Sequence, residues 1–139
     1  ASDIQDLNWV QLLNAYTCTE CGRCTSSCPA NITGKKLSPR KIMMDTRDRM
    51  EEVGKNIDAN KGIFIPDNKT LLNDYITPEE LWACTSCNAC VEECPVNISP
   101  LSIIMDMRRY LVMEQSAAPM PLNAMMTNIE NNGARKLIL

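Results

Sequence analysis

The sequence predicts an all-α protein built as a duplicated unit, a cysteine loop followed by a helix. Three observations predict it. All eight cysteines fall into two groups of four, Cys18, Cys21, Cys24, Cys28 and Cys84, Cys87, Cys90, Cys94, each spaced C-x2-C-x2-C-x3-C and followed by proline. The likeness of the halves extends past the cysteines. Cys28-Pro29-Ala30-Asn31-Ile32 matches Cys94-Pro95-Val96-Asn97-Ile98 at an offset of 66. After five additional residues in the first copy, Ile42-Met43-Met44-Asp45-Thr46-Arg47 matches Ile103-Ile104-Met105-Asp106-Met107-Arg108 at an offset of 61. Finally, apolar residues after each motif recur every three to four positions, the period of a helix with one buried face.

Taken in chain order, Leu7, Val10, Leu13 and Ala15 predict a helix over roughly residues 5–17, entering the first motif. After that motif, Ser38 is placed to cap a helix and Pro39 to occupy its first position, where a missing N–H costs nothing. Met43, Thr46, Met50, Val53 and Ile57 continue it. Residues 58–76, with Gly62 and Pro66-Asp67-Asn68, read as an irregular connection with room for a small hairpin. Thr77-Pro78-Glu79-Glu80 is a capping-box start for a short helix running into Cys84. Ser99 and Pro100 repeat the cap and first position, and Ile104, Met107 and Leu111 form the stripe of the last repeated helix. The pseudo-repeats thus span about 5–57 and 77–116 of a single domain over 1–139, with 117–139 as a C-terminal extension. Within the extension, a short helix over about 121–131 is expected to stop at Gly133.

Composition narrows the function. The chain has 139 residues, enough for one compact domain, and 45% apolar with 22% charged residues is a globular profile. With only 4% aromatics, the core has to be built from Leu, Ile and Met. A net charge of −3 gives nucleic-acid binding no electrostatic basis. No run of 18 apolar residues exists, so no transmembrane helix is expected in this chain. Ala1-Ser2-Asp3-Ile4 lacks the basic start of a secretory signal, and the absence of an initial Met leaves processing and excision from a longer polypeptide both open. There is no histidine, which excludes His-ligated zinc or copper, His-ligated haem and any His-activated nucleophile. What remains is thiolate chemistry.

Three thiolate chemistries compete. A disulfide framework suits small secreted proteins, and C-x2-C-x2-C is too tight to pair internally without strain. A four-cysteine zinc site normally joins two C-x-x-C knuckles well apart in sequence, whereas here four cysteines crowd into eleven residues. A [4Fe–4S] cubane is larger than a single ion, and cysteines at i, i+3 and i+6 can wrap three of its corners. Two motifs of identical spacing therefore point to two [4Fe–4S] clusters.

Two C-x2-C-x2-C-x3-C-P motifs about 66 residues apart, with helices between them, resemble the α-helical ferredoxin domain. Within that group, Cys18-Thr19-Glu20-Cys21-Gly22-Arg23-Cys24 and Cys84-Thr85-Ser86-Cys87-Asn88-Ala89-Cys90 resemble the iron–sulfur subunits of heterodisulfide reductases, glycolate oxidase and anaerobic glycerol-3-phosphate dehydrogenase. The resemblance implies that each fourth cysteine serves the other cluster. Cluster I would then take Cys18, Cys21, Cys24 and Cys94, and cluster II would take Cys84, Cys87, Cys90 and Cys28. It also implies an electron-transfer component with no substrate site of its own. Such a component would link a flavoprotein or reductase to a quinone, haem or cysteine-rich subunit, in the cytoplasm or on the cytoplasmic face of a membrane complex. Many relatives continue into further cysteine-rich domains. This chain ends at Arg135-Lys136-Leu137-Ile138-Leu139, so it resembles either a small subunit or the ferredoxin-like portion of a larger, catalytic protein.

Other residues carry two readings each. Trp9 and Trp82 stand before the motifs either as shields that tune cluster potential or as ordinary core anchors. Met43, Met50 and Met107 lie on helical stripes and are expected in the core, while Met120, Met125 and Met126 are candidates to face a partner. Ten of fourteen basic residues lie between Arg23 and Lys69, densest at Lys35, Lys36, Arg40 and Lys41. That group is either a docking patch for an acidic redox partner or a solvated helix start.

Overall fold

A computed structural model of the chain describes residues 2–133. The chain divides into two compact units, Ala1–Arg108 and Arg109–Leu139. Among the described residues the regular elements are helices, with a single isolated bridge between Leu72 and Ile76.

The first expected helix is shorter than its apolar pattern. Ile4–Asp6 forms a 3-10 turn, and α1 runs over Trp9–Thr17. The reason is Asn8, whose side chain accepts from Gln11 N while the Gln11 side chain accepts from Asn8 N. This reciprocal box satisfies first-turn donors and stops a helix from continuing upstream. The buried face also differs from the expected stripe. Leu7 and Ala15 are buried, but Val10 and Leu13 face solvent. Gln11 is buried in their place, donating from Nε2 to Ser102 Oγ at 2.7 Å and Asp106 Oδ2 at 2.6 Å.

The first motif holds two single turns, α2 (Arg23–Ser26) and α3 (Pro29–Ile32). The long α4 (Pro39–Ala59) starts as expected, with Ser38 Oγ accepting from Lys41 N and proline at its first position. It buries Ile42, Met43, Thr46 and Val53. The connection contains no hairpin: its last part folds into a kinked turn, α5 (Leu71–Asp74), with Leu71, Leu72 and Ile76 buried. Next comes α6 (Pro78–Ala83), capped by Thr77 Oγ1 accepting from Glu80 N. Only half of the capping box forms, because the buried Glu80 side chain accepts from Lys41 Nζ instead. The second motif carries α7 (Ala89–Glu92) and leads to α8 (Pro100–Met113), where Ser99 Oγ accepts from Ser102 N. Here Ile103, Ile104 and Met107 are buried.

Two polar ties cross between the repeats. Lys41 on α4 grips Glu80 at the start of α6, and Ser102 and Asp106 on α8 grip Gln11 near the start of α1. Each long helix is thereby fastened to the helix that precedes the other repeat's motif. The second unit contains α9 (Met120–Asn132), closed by Gly133 at φ 64 with its N–H donating to Ile129 O. Met120 and Met126 are exposed and Met125 is half-buried. Residues 134–139 of the extension, and Ala1, lie outside the described residues. Among the described residues no helix is long and apolar enough to cross a membrane.

One buried charge organises the connection. The Arg49 side chain is 0% exposed and pairs with Asp3, Glu52 and Asp67 at 2.9, 2.8 and 2.8 Å. It also donates to Lys69 O at 2.8 Å, so α4 holds both the N-terminal segment and the end of the long loop. Replacing Arg49 with Met is expected to destabilise toward the lower end of the roughly 3–5 kcal/mol seen when a buried pair is broken. The lower end applies because the abandoned carboxylates keep partial access to water. An anaerobic urea midpoint indistinguishable from wild type would contradict this.

Asp67 adds a pH dependence. Hydrogen bonds from Arg49 hold its carboxyl well below the usual carboxylate range. A depressed folded-state value stabilises above the unfolded value and is lost as pH falls through it. The wild-type advantage over Asp67→Asn should therefore be full above about pH 5 and shrink below it. Urea midpoints of the two proteins across that range give the measurement.

Candidate metal centres

Each motif begins where a helix ends. Cys18 is the C-cap of α1 and Cys84 the C-cap of α6. From there the two loops follow the same path. Glu20 and Ser86, two residues on, both take the left-handed conformation, at φ 59 and 58. Gly22 and Asn88, four residues on, do so again, at φ 78 and 64, and cap α2 and α7. Alternate left-handed residues curl the chain and turn successive side chains and N–H groups toward one side. That is how a seven-residue loop brings three thiols to one concavity.

Two cavities result. The first is lined by Cys18, Cys21 and Cys24, with Cys90 and Cys94 from the other motif. The second is lined by Cys84, Cys87 and Cys90, with Cys28 from the first motif. The eight residues singled out from sequence are thus brought together in two groups, with Cys90 on the wall between them. Met43, Val96 and Ile98 form part of the first wall, and Leu37, Leu101 and Ile104 part of the second. Cys21 and Cys87 are exposed, so each cavity meets solvent at its middle cysteine.

The donor set fits a cluster better than a single ion. All eight thiols are free. Among the described residues no three cysteine, aspartate or glutamate side chains gather closely enough to hold one ion. Backbone N–H groups already point at sulfur, Ser86 N at 3.4 Å from Cys84 Sγ and Ile98 N at 3.3 Å from Cys94 Sγ. Such bonds stabilise negative charge on thiolate and cluster. Burial pushes the Cys90 thiol up to about 11, with Cys84, Cys24 and Cys28 nearby, and burial also raises Cys24. The exposed Cys87 is lowered, chiefly by the Ala89 N–H. Iron binding has to displace protons at such sites, as at any thiolate centre.

Two expectations change at this level, those for Trp9 and Lys41. Trp9 is 73% exposed and so is no core anchor. Trp82 is half-buried, with the Arg108 guanidinium 5.0 Å from its ring centroid. Lys41 is held by Asp45 and Glu80 and so belongs to the fold rather than to an open basic patch, while Lys35, Lys36 and Arg40 stay exposed. The sequence reading did not single out Arg47 and Arg108, which both bond the loops of their own motifs. The signal was present: the two arginines occupy the same register in the repeat.

The chain matches the family model of the 4Fe-4S dicluster domain over residues 17–98. It is 35% identical to the probable iron-sulfur-binding oxidoreductase FadF of Bacillus subtilis, covering 96% of this chain and 23% of that protein. It is 34% identical to the EtfAB:quinone oxidoreductase of Syntrophomonas wolfei, covering 94% of this chain and 21% of that protein. Similarity extends to one subunit of the ferredoxin/F(420)H(2)-dependent CoB-CoM heterodisulfide reductase of Methanosarcina acetivorans, 33% identical over 77% of this chain and 52% of that polypeptide. The chain therefore spans about a fifth to a half of the length of the relatives it matches. Two motifs, two cavities and a family match that covers both make two [4Fe–4S] clusters its cofactors. The chain belongs to the 4Fe-4S dicluster domain family, as an iron–sulfur domain homologous to electron-transfer components of oxidoreductases.

Proposed function

We propose that this chain is the wiring section of an oxidoreductase complex, passing single electrons between two clusters held by crossed ligand sets. Cluster I takes Cys18, Cys21, Cys24 and Cys94, and cluster II takes Cys84, Cys87, Cys90 and Cys28. The supporting observation is that each motif's fourth cysteine lines the other motif's cavity. When bound, the clusters supply one-electron carriers. The protein holds the thiolates, donates N–H groups to sulfur, and walls both sites with apolar side chains that keep out water. Cys90 borders both cavities, so the two sites lie a single side chain apart. The exposed Cys21 and Cys87 give each site its own outlet for exchange with a partner.

On this reading a flavoprotein or reductase meets one outlet and a quinone, haem or cysteine-rich subunit meets the other, at or near the cytoplasmic face of a membrane. The relatives support both parentages. Coverage of about a fifth of two long oxidoreductases fits a domain of a larger catalytic chain, and coverage of half of a heterodisulfide reductase subunit fits a small subunit. Anaerobic mass spectrometry of the native assembly separates them by the mass of the polypeptide that carries this sequence.

The ligand partition is tested directly. Anaerobic wild-type protein should carry about eight iron per chain. Cys94→Ala should abolish the same EPR signal as Cys21→Ala, and Cys28→Ala the same signal as Cys87→Ala. The reverse pairing would show that each motif closes its own cluster. For the partner, Lys35→Glu with Lys36→Glu is expected to slow exchange with an acidic redox protein, most strongly at low salt. A rate unchanged at every ionic strength would remove those lysines from the interface.

A further inference from the structure

We propose that Arg47 and Arg108 are matched positioning residues that hold each motif's first cysteine to its cluster, and that Glu20 lowers the potential of the cluster on its side. The proposal rests on the crossed-ligand reading above. It comes from a correspondence in which the same three nitrogens of each guanidinium meet equivalent acceptors, with one added contact in each half, Arg47 Nη2 to Tyr16 O and Arg108 Nη1 to Met105 Sδ. Arg47 Nε donates to Ala15 O at 3.0 Å and Arg108 Nε to Leu81 O at 2.8 Å, each acceptor lying three residues before the first cysteine. Arg47 Nη2 donates to Cys18 O and Arg108 Nη2 to Cys84 O. The remaining nitrogen, Nη1, reaches the side chain two residues past that cysteine in both halves.

These acceptors explain the choice of arginine. Ala15 O and Leu81 O belong to the last turns of α1 and α6, where carbonyls have no helical partner and the dipole favours a cation. A guanidinium presents a rigid fork that can satisfy both a last-turn carbonyl and the cap carbonyl, which an ammonium cannot match. With the cap carbonyl fixed, the backbone of Cys18 or Cys84 leaves its helix in one direction, and the thiol follows. The arginine also brings a positive charge to a loop whose cluster gains negative charge on reduction.

The halves diverge at the third contact. Arg47 Nη1 meets the Glu20 carboxylate at 3.3 Å, whereas Arg108 Nη1 meets the Ser86 hydroxyl at 3.4 Å. Glu20 offsets the charge of Arg47, and Ser86 leaves that of Arg108 in place. Because Glu20 and Ser86 share one backbone conformation, φ 59 and 58, exchanging them changes charge without changing the turn. Arg40 also lines the first cavity. The decisive comparison is therefore substitution at one position, and not the difference between the two native potentials.

The experiment uses the anaerobic, cluster-containing chain with EPR-monitored potentiometry and chelator challenge. Arg47→Lys keeps the charge and loses the fork, so it should alter one EPR signal and speed iron loss from that cluster by at least about tenfold. Arg108→Lys should do the same to the other signal. Glu20→Ser should make the couple disturbed by Arg47→Lys more positive, raising its reduced-to-oxidised ratio at fixed poise by about threefold to tenfold. Ser86→Glu should shift the couple disturbed by Arg108→Lys the opposite way. The Glu20 and Ser86 exchanges keep the test open if a lysine variant loses its cluster during purification. The proposal is overturned if the lysine variants leave both signals and iron-loss rates unchanged or alter both clusters alike, or if the exchanges leave both couples in place. Wild-type protein with about four iron and one couple would instead overturn the relay reading itself.

Discussion

Each cysteine motif lines one cavity with its first three thiols and the other motif's cavity with its fourth. The third cysteine lies in a single turn, α2 or α7, and the fourth follows it, with Pro29 or Pro95 next. Each half therefore supplies part of the wall of the other's cavity, and further contacts tie the halves together. Lys41 with Glu80, and Gln11 with Ser102 and Asp106, fasten each long helix to the helix leading into the other repeat's motif. On the proposed ligand partition, these ties hold together the two repeats that exchange a donor.

The buried charge of Arg49 answers a different problem. The first repeat is followed by a connection whose apolar residues Ile63 and Ile65 are exposed and which buries no apolar side chain until Leu71. Its backbone has to be held close to α4 without a hydrophobic stripe. Arg49 does this with a bidentate bond to Asp3, a second to Asp67 and one to the Lys69 carbonyl. Tyr75 bonds Glu52 in the same network, and that bond pushes its hydroxyl up to about 12. The cost of desolvating a guanidinium is offset here by geometry, because the planar fork meets three carboxylates, those of Asp3, Glu52 and Asp67, and a carbonyl together. The second repeat has no such connection to hold, and the residue at the equivalent position, Tyr110, is not a cation.

The sequence made much of this legible, and the reasons are physical. Cysteine spacing is a geometric demand of the cluster, so eight sites could be named from numbers alone. Ser-Pro before α4 and α8 is a local capping device, and both caps formed where the sequence placed them. The face of α1 was not legible. Leu7, Val10 and Leu13 satisfy a helical period, yet a nine-residue helix with apolar residues on two sides does not reveal which side packs. The answer came from Gln11, whose partners Ser102 and Asp106 lie more than ninety residues away. The connection failed for the same reason: proline and glycine suggested a hairpin, and a distant arginine decided otherwise. Pairings of this range leave no periodic trace in one chain.

Duplication gives two similar loops, and a relay benefits only where the copies differ. The backbone differs little, since both motifs place left-handed residues two and four positions past the first cysteine. Divergence sits in the side chains around that shared path. Where the first loop has Gly22 the second has Asn88, and where one has Tyr16 before the cysteine the other has Trp82 beneath a guanidinium. The first cavity is lined by Arg40, while the uncharged second is lined by Asn88 and Leu101. Cluster potential depends on net charge, hydrogen bonds to sulfur and exposure. The fold therefore keeps constant the positions of the donors and varies the charges nearby, which is the separation of tasks that lets one inherited loop serve two electron carriers.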